Sequence, residues 1–135
     1  LQFDSHRLLK NCVSGLNVLL KSEPALYQAQ FKIEGFEWVD LNHRAESVVV
    51  YKRKGKKEED DLLVILNLTP VVRNDWEIRV SGKPYCKEVF NSDSKIYWGT
   101  GDVYNPELRC DPIDKDQKTY KLTVNLPALA GIVLK

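Results

Sequence analysis

The sequence has no methionine, two histidines, three cysteines and only short apolar runs. Runs such as residues 62–66 are far shorter than the ~20 apolar residues that a membrane-spanning helix requires. No positively charged segment followed by an apolar stretch opens the chain, so no signal peptide is recognised. The lack of methionine, which includes position 1, is expected of a fragment of a longer protein. We therefore expect no membrane partner and a chain taken from a larger polypeptide.

An excess of one charge is also lacking, because 20 basic residues are balanced by 19 acidic ones for a net charge of +1. Non-specific binding to nucleic acid requires a basic surface that neutralises phosphates. Cys12, Cys86 and Cys110 are an odd number without CxxC spacing, whereas secreted disulfide frameworks use an even and denser set. We therefore expect no nucleic-acid partner, reduced thiols and a cytoplasmic location.

The first 23 residues have the pattern of one amphipathic helix. Asp4 or Ser5 is expected to cap its N-terminus, and Pro24 disfavours helical geometry at the residue before it. Apolar residues recur at spacings of three and four, which predicts a stripe that faces a core. The stripe consists of Leu9, Cys12, Val13, Leu16, Leu19 and Leu20.

From Phe36 onward the pattern changes to short β-strands separated by turn residues. The predicted strands are residues 36–40, 47–53, 62–69, 75–80, 87–91, 119–126 and 131–134. No helical segment alternates with these strands, which predicts an antiparallel sandwich rather than a parallel α/β sheet. Residues 92–118 have few strand signals and are predicted to be the largest irregular segment.

The block KRKGKKEEDD at residues 52–61 contains positive charges followed by negative ones. It is compatible with an anion-binding patch, but opposite charges that offset each other between two apolar strands favour a solvated hairpin tip.

No pattern of a catalytic or metal site is found in the sequence. The GxSxG, glycine-rich phosphate-loop and HExxH motifs are absent, and neither His6 nor His43 has Cys or carboxylate neighbours at metal-ligand spacing. Glycoside chemistry needs two carboxyl groups at a fixed separation, and the acidic residues here are scattered. We predict no catalytic residue, no metal and no cofactor.

The aromatic residues are better candidates for binding, since aromatic faces complement the C–H faces of sugar rings. Trp38 and Trp76 lie in or at the start of predicted strands, which favours core or interdomain packing. Tyr97 and Trp98 lie side by side in the irregular segment, near Asn91 and Asp93, and both burial and exposure remain open for them.

Six stretches of the chain resemble, in order, the C-terminal portion of bacterial 1,4-α-glucan (glycogen) branching enzymes. They are LNVLLKSEPALY (16–27), GFEWVDLN (35–42), SVVVYKRKG (47–55), DLLVILNLTPVVR (61–73), KEVFNSDSKIYWGTG (87–101) and LPALAGIVL (126–134). GFEWVD, the N-x-T-P-V turn and NSDSKIYWGTG are the most specific. One departure is Trp98-Gly99-Thr100, where the family usually has Gly-Gly-Ser after the tyrosine.

The resemblance implies an all-β fold, an antiparallel β-sandwich of the α-amylase C-terminal type preceded by one helix. Residues 1–28 would be the last helix of a catalytic (β/α)₈ barrel, and residues 29–135 the sandwich that packs on it. The family reaction moves an α-1,4-glucan segment to an α-1,6 position in glycogen biosynthesis. Its catalytic motifs lie on the barrel and do not occur here, so this chain alone is expected to be an inactive part of a glycosyltransferase.

The implied partners are the barrel of the same polypeptide and α-glucan, and the implied contact residues form a short list. The candidates for glucan contact or barrel packing are Trp38, Asn91, Asp93, Tyr97 and Trp98. Three alternatives stay open: an autonomous carbohydrate-binding module, the matching domain of another α-amylase-like enzyme, and an immunoglobulin-like adhesive domain.

Overall fold

The computed structural model describes residues 3–135, which form one α-helix, eight β-strands and four short 3₁₀ turns. The helix α1 spans Asp4–Ser22. The strands are β1 Phe36–Asp40, β2 Val48–Arg53, β3 Leu62–Asn67, β4 Arg73–Ser81, β5 Glu88–Asn91, β6 Arg109–Asp114, β7 Thr119–Leu126 and β8 Ala130–Leu134. No helix in this part of the chain is long and apolar enough to cross a membrane.

The strands form two antiparallel sheets, which confirms the predicted all-β sandwich. One sheet has five strands in the order β1-β2-β3-β8-β5, and the other has three in the order β4-β7-β6. Each neighbouring pair is antiparallel. The core between the sheets consists of Val48, Val50, Leu63, Ile65, Ile78, Val80, Tyr85, Leu122, Val124, Leu126, Ile132 and Leu134.

All seven predicted strands are present, and one strand was missed. β6 lies within residues 92–118, so the prediction of an irregular segment is wrong for this part. β6 contains Pro112 and several charged residues, and it pairs with β7 along one side only. Proline cannot donate to a ladder, and such residues are tolerated in an edge strand while masking its sequence signal.

The prediction that Asp4 or Ser5 caps α1 is also wrong. Phe3 occupies the N-cap position with extended backbone, and no side chain caps the helix there. Asp4 is already in the first helical turn, where its carboxylate pairs with Arg7 at 3.0 Å. A carboxylate in the first turn still interacts favourably with the helix dipole. The predicted end before Pro24 is confirmed.

α1 lies on the face of the five-stranded sheet that points away from the three-stranded sheet, here called the outer face. Alternation along β2 directs Val48 and Val50 into the core and leaves Val49 and Tyr51 on the outer face. A second cluster forms there between the helix and the sheet. Its buried members are Leu19, Ala25, Leu62, Val64, Phe90 and Val133.

Candidate functional site

The end of β5 and the loop after it contain four of the five predicted contact residues, and Asn91, the last residue of β5, shapes the start of this loop. Asn91 is buried, and its Oδ1 accepts the Asp93 N–H at 2.9 Å. Its Nδ2 donates to the Val103 carbonyl at 3.0 Å and to Glu88 Oε1 at 3.2 Å. These bonds use both polar atoms of the carboxamide, so Asn91 acts here as a scaffold for the loop.

Asp93 holds the same loop together by hydrogen bonds to residues at its far end. One carboxylate oxygen accepts the Thr100 N–H at 2.9 Å, and the other accepts the Thr100 hydroxyl. The Asp93 carbonyl accepts the Gly101 N–H at 2.7 Å. A Cβ at Gly99 would overlap the Asp93 backbone, so only glycine allows this close approach. Both carboxylate oxygens are therefore hydrogen-bonded within the loop, and a glucan contact by Asp93 stays a prediction.

Tyr97 connects this loop to α1. Its ring stacks on Phe90 with centroids 5.3 Å apart and planes 25° apart. Its hydroxyl reaches Gly15, where a Cβ would overlap it. The half-buried Tyr97 thus packs in the outer-face cluster and helps to dock the helix.

Trp98, in contrast to the half-buried Tyr97, has 65% of its surface exposed. Its φ of 72° places it in the left-handed region that glycine adopts most readily. The resemblance leads us to expect glycine at this position, and glycine adopts this backbone conformation without strain. The substitution adds a large aromatic side chain to the surface.

Trp38 is not a core residue, so that part of the prediction is wrong, whereas interdomain packing stays a prediction. It lies on β1, an edge strand, and is 54% exposed on the outer face. It forms an aromatic trio with Phe36, at 4.8 Å between centroids, and Tyr51, at 6.0 Å. The sequence did not indicate this trio, because it requires the register that pairs Trp38 with Tyr51.

Trp76 packs partly against the core, as predicted. The His43 ring lies 4.7 Å from its ring, and the Arg73 guanidinium lies 5.4 Å from it.

The candidate aromatics do not form one platform. Trp38 is on β1 and Trp98 follows β5, and these strands are the two edges of the five-stranded sheet. Beside Tyr97, a groove of about 380 Å³ is lined by residues that include Asn91, Lys95 and the exposed Tyr104. Within residues 3–135, the β5 edge groups Tyr97 and Tyr104 with Asn91 and Lys95 around this groove, whereas the β1 edge carries the aromatic trio beside Glu37.

The charged block at residues 52–61 forms the β2–β3 hairpin, and its two ends are buried. Lys52 is 3% exposed and Asp61 is 6% exposed, so the prediction of a solvated tip holds only for residues 56–59. The Lys52 ammonium donates to the Ser81 carbonyl at 2.7 Å and to its hydroxyl at 3.1 Å. It therefore ties the five-stranded sheet to the end of β4.

Ion pairs between β1 and this charged block neutralise lysines that an anion site would need. Glu37 lies 3.4 Å from the Lys52 ammonium and 3.2 Å from that of Lys54. Burial works to raise the pKa of Glu37, but hydrogen bonds and charges from Lys54 and Lys52 outweigh it and leave that pKa lowered. Burial raises the pKa of Asp61, even though its carboxylate accepts the Gly55 N–H at 3.0 Å.

No group of three or more His, Cys, Asp or Glu side chains within residues 3–135 is arranged to hold a metal ion. Cys12, Cys86 and Cys110 are free thiols.

The largest unexplained feature is apolar surface on and around α1. Four members of its predicted stripe are exposed, which are Leu9, Val13, Leu16 and Leu20. In the segment after the helix, Phe31 and Ile33 are 94% and 93% exposed. The helical period indicated the stripe correctly, but only Leu19 is buried, and Cys12 is half-buried.

The chain is similar to one known protein family and to several known proteins. Residues 38–135 match the family model described as alpha amylase, C-terminal all-beta domain. The whole chain is 37% identical to a protein of Aquifex aeolicus (strain VF5), 35% to one of Rhodopirellula baltica and 36% to one of Rubrobacter xylanophilus. Each of these relatives is named 1,4-alpha-glucan branching enzyme GlgB, which confirms the predicted resemblance and does not favour the alternatives.

The chain covers 21%, 18% and 19% of these relatives, or about a fifth of their length. The matched residues include all eight strands except the start of β1. The chain belongs to the alpha amylase C-terminal all-beta domain family.

Proposed function

We propose that this chain is the C-terminal domain of a 1,4-α-glucan branching enzyme and stabilises the catalytic barrel of the same polypeptide. The complete enzyme would transfer α-1,4-glucan segments to α-1,6 positions during glycogen synthesis in the cytoplasm. Similarity over the full 135 residues to relatives with that name supports the assignment.

The observation that carries the structural role is the exposed apolar stripe of α1. The helix already contacts the sandwich through Leu19, Cys12 and Gly15. A helix that needs only one contact typically has an apolar stripe on one side, and a large exposed apolar patch marks an interaction site. The remaining stripe is therefore suited to a second contact, in line with residues 1–28 being the last barrel helix.

The polar groups of the chain support a non-catalytic role. Asn91 and Asp93 are committed to the geometry of their own loop. Glu37 is paired with two lysines, and Asp61 accepts a backbone N–H. Retaining and inverting glycoside chemistry both require a pair of carboxyl groups across the sugar bond, which the remainder of the polypeptide would supply.

The test is a branching assay on amylose with the full gene product and with the isolated chain. We expect the full product to form new α-1,6 linkages, detected by proton NMR, and the isolated chain to form none. New α-1,6 linkages made by the isolated chain, or none made by an otherwise folded full product, would contradict the proposal.

A weaker role in glucan contact is favoured by the exposed Tyr104, which lines the groove at the β5 edge, and by the exposed Trp98, which directly follows the groove residue Tyr97 in the sequence. Cosedimentation with glycogen tests it, with Trp98→Ala as the variant and Trp38→Ala, at the opposite sheet edge, as the matched control. We expect Trp98→Ala alone to reduce the bound fraction. Equal binding by both variants and the parent chain would remove this role.

A further inference from the structure

We propose that Lys83 is a nucleophilic amine that forms a Schiff base with a hydroxyaldehyde, the open-chain form of a reducing sugar, and that Asp61 supplies the proton for this step. These two residues and Tyr85 are here called the Lys83 cluster. The cluster lies between the β2–β3 hairpin and the segment that follows β4. The inference does not depend on the branching reaction, because it concerns a modification of this chain itself.

The backbone on both sides of Lys83 is constrained. Gly82 has a φ of 92°, in the region that glycine adopts readily, and its N–H donates to the Lys118 carbonyl at 2.9 Å. Pro84 follows Lys83 and has its own φ fixed by the proline ring. The side chain then reaches the hairpin, where its ammonium donates to the Glu59 carbonyl at 3.0 Å. The amine is therefore held at a defined place.

The Lys83 ammonium has neutral partners. Besides the Glu59 carbonyl, it contacts the face of the Tyr85 ring, with its nitrogen 5.0 Å from the ring centroid. Many other lysines within residues 3–135 form ion pairs with carboxylates, and Lys83 is not among them. The paired ones are Lys52, Lys54, Lys57, Lys118, Lys121 and Lys135. A half-buried amine without such a pair has less to stabilise its charged form.

The charges around Lys83 do not reverse this effect. Burial lowers the pKa of Lys83, and the charges of Asp61, Cys86 and Asp60 oppose the change only in part, while that of Lys135 adds to it. A lysine with a lowered pKa keeps more of its amine neutral at a given pH. The neutral amine is the form that attacks a carbonyl, and desolvated lysines are used in this way to form Schiff bases. Lys83 is therefore the nucleophile of the cluster.

Asp61 is the acid of the cluster. It is 6% exposed, and its Oδ1 accepts the Gly55 N–H at 3.0 Å, while its Oδ2 accepts no hydrogen bond within residues 3–135. Burial raises the pKa of Asp61, so a larger fraction of this carboxyl group carries a proton than in an exposed aspartate. Asp61 is also the carboxylate that acts most strongly on the Lys83 ammonium. It is therefore suited to general acid catalysis beside this amine.

The step is a condensation in which nothing is oxidised or reduced. The Lys83 nitrogen forms a bond to the aldehyde carbon, and the electron pair of the C=O π bond moves to the oxygen, which takes up a proton to give a carbinolamine. Asp61 then protonates the hydroxyl group, which leaves as water while the nitrogen lone pair forms the C=N bond. Asp61 regains its proton from the nitrogen. One amine and one aldehyde thus give one imine and one water.

A hydroxylated aldehyde fits the polar surroundings of the cluster. Gly82 and Asp61 line a cavity of about 320 Å³ with residues that include Lys52 and Ser81. The Tyr85 side chain is 0% exposed, and its hydroxyl has no hydrogen-bond partner within residues 3–135. The hydroxyls of a sugar can bond to such groups, whereas an apolar aldehyde cannot. The ion pairs of the hairpin lysines favour an uncharged ligand over an anion.

The experiment measures the labelling of individual lysines in the full gene product. Glyceraldehyde is the probe, cyanoborohydride reduces the imine to a stable secondary amine, and peptide mass spectrometry reads the label at each lysine. The exposed Lys56, on the same hairpin region, is the matched control. We expect Lys83 to be labelled at least about three-fold faster than Lys56 at about pH 7. We expect propanal, which has no hydroxyl group, to reduce this ratio. Equal or slower labelling of Lys83 by glyceraldehyde, or an equal ratio with propanal, would overturn the proposal.

Asp61→Asn separates the acid from the amine. Asparagine keeps the oxygen that accepts the Gly55 N–H, so the hairpin contact is retained. Loss of the negative charge lowers the pKa of Lys83 further, which alone would speed its labelling, whereas loss of the acid slows the departure of water. We expect labelling of Lys83 to fall by about three-fold or more, with Lys56 unchanged. Unchanged or faster labelling of Lys83 would overturn the proposal.

Trace labelling of the parent protein with acetic anhydride tests the amine without the need for an acid. Acetylation reports the neutral fraction of each lysine between about pH 7 and 11. We expect the labelling of Lys83 to rise at lower pH than that of Lys56. Coincident profiles, or a rise at higher pH for Lys83, would overturn the proposal whether or not the Asp61→Asn variant folds.

Discussion

The two faces of the five-stranded sheet differ in how completely this chain buries them. The inner face packs on the three-stranded sheet, and its residues, such as Val50, Leu63 and Leu134, are fully buried. The outer face is covered by α1 only over part of its width, and Trp38 and Leu68 remain more than half exposed. This chain alone buries the inner face. The outer face has apolar residues like those of a core, but this chain buries only part of them.

The inner face accounts for most of the folding stability of the domain, whereas the exposed part of the outer face is suited to association. Burial of apolar surface is the main favourable term in folding, and here most of it lies between the sheets. The outer face contributes through Leu19, Phe90 and their neighbours, but the stripe of α1 contributes little to the isolated chain. The variants below test this division, from the largest expected effect to the smallest.

Truncation on the two faces gives the largest contrast. Leu122→Ala, at 0% exposure, is expected to lower the free energy of unfolding by about 2–5 kcal/mol, because it leaves a cavity in the core. Leu16→Ala removes the same side chain from the exposed stripe and is expected to change stability by about 0.5 kcal/mol or less. Urea unfolding of the isolated chain measures both. Comparable losses would show that the stripe is part of the core.

The buried ammonium of Lys52 is expected to matter more than an exposed one on the same strand hairpin. Lys52→Met removes the bonds to Ser81 and is expected to lower the free energy of unfolding by about 1–3 kcal/mol. Lys54→Met removes only a partly exposed pair with Glu37 and is expected to change it by less than about 1 kcal/mol. Urea unfolding at neutral pH compares them, and equal effects would mean that Lys52 is not a tether.

The contact between Gly15 and Tyr97 tests how α1 is docked. Alanine is the better helix former by about 1 kcal/mol, yet Gly15→Ala is expected to destabilise the chain by about 1–2 kcal/mol because its Cβ overlaps the Tyr97 hydroxyl. Asn17→Ala, at an exposed position of the same helix, is the control and is expected to be neutral or slightly stabilising.

Tyr97→Phe removes the overlapping hydroxyl and is expected to reduce the effect of Gly15→Ala in the double variant. Helix content by circular dichroism and urea midpoints report the coupling. Strict additivity of the two substitutions would show that Gly15 and Tyr97 do not interact.

Two carboxylates of the hairpin region are expected to give small pH effects of opposite sign. Because the pKa of Glu37 is lowered in the fold, its ion pairs stabilise the chain above the ordinary value of 4.5, and this is lost as pH falls through the folded pKa. Because burial raises the pKa of Asp61, its ionisation disfavours the fold as pH rises from the ordinary value of 3.8 through the folded pKa.

Unfolding midpoints of Glu37→Gln and Asp61→Asn between about pH 3 and 6 measure the two effects. We expect Glu37→Gln to lose less stability than the parent chain on acidification, and Asp61→Asn to lose more. The reverse order would contradict the assigned pKa directions.

The inner face was predictable from the sequence, because alternation in β7 and apolar runs in β3 are local signals of buried strands. β6 was not predicted because it contains Pro112 and several charged residues. An edge strand tolerates both, since it needs neither a strict alternation of apolar and polar residues nor a backbone N–H donor at every position. The stripe of α1 was also visible as a 3.6-residue period. Its partial burial was not, because a helical period does not show which flank meets the sheet.

The candidate site was predicted less completely for a similar reason. The sequence indicated Asn91, Asp93, Tyr97 and Trp98. The roles of Asn91 and Asp93, however, depend on hydrogen bonds that form only across the folded loop, and that of Tyr97 depends on its stacking against Phe90. Phe36 and Tyr51 became relevant only through the register of β1 with β2. The sequence did not indicate a role for Gly15, because the role of a glycine inside a helix depends on which side chain packs against it.

The central claim is that the outer face of this chain is an interface with the rest of its polypeptide, and one comparison tests it most directly. Leu16→Asp and Ile113→Asp place a carboxylate at similarly exposed positions, one on the stripe and one on β6. Thermal unfolding and branching activity are then measured in the full gene product. We predict that Leu16→Asp lowers the melting temperature and the activity while Ile113→Asp leaves both near those of the parent. Equal, small effects of the two substitutions would contradict the claim.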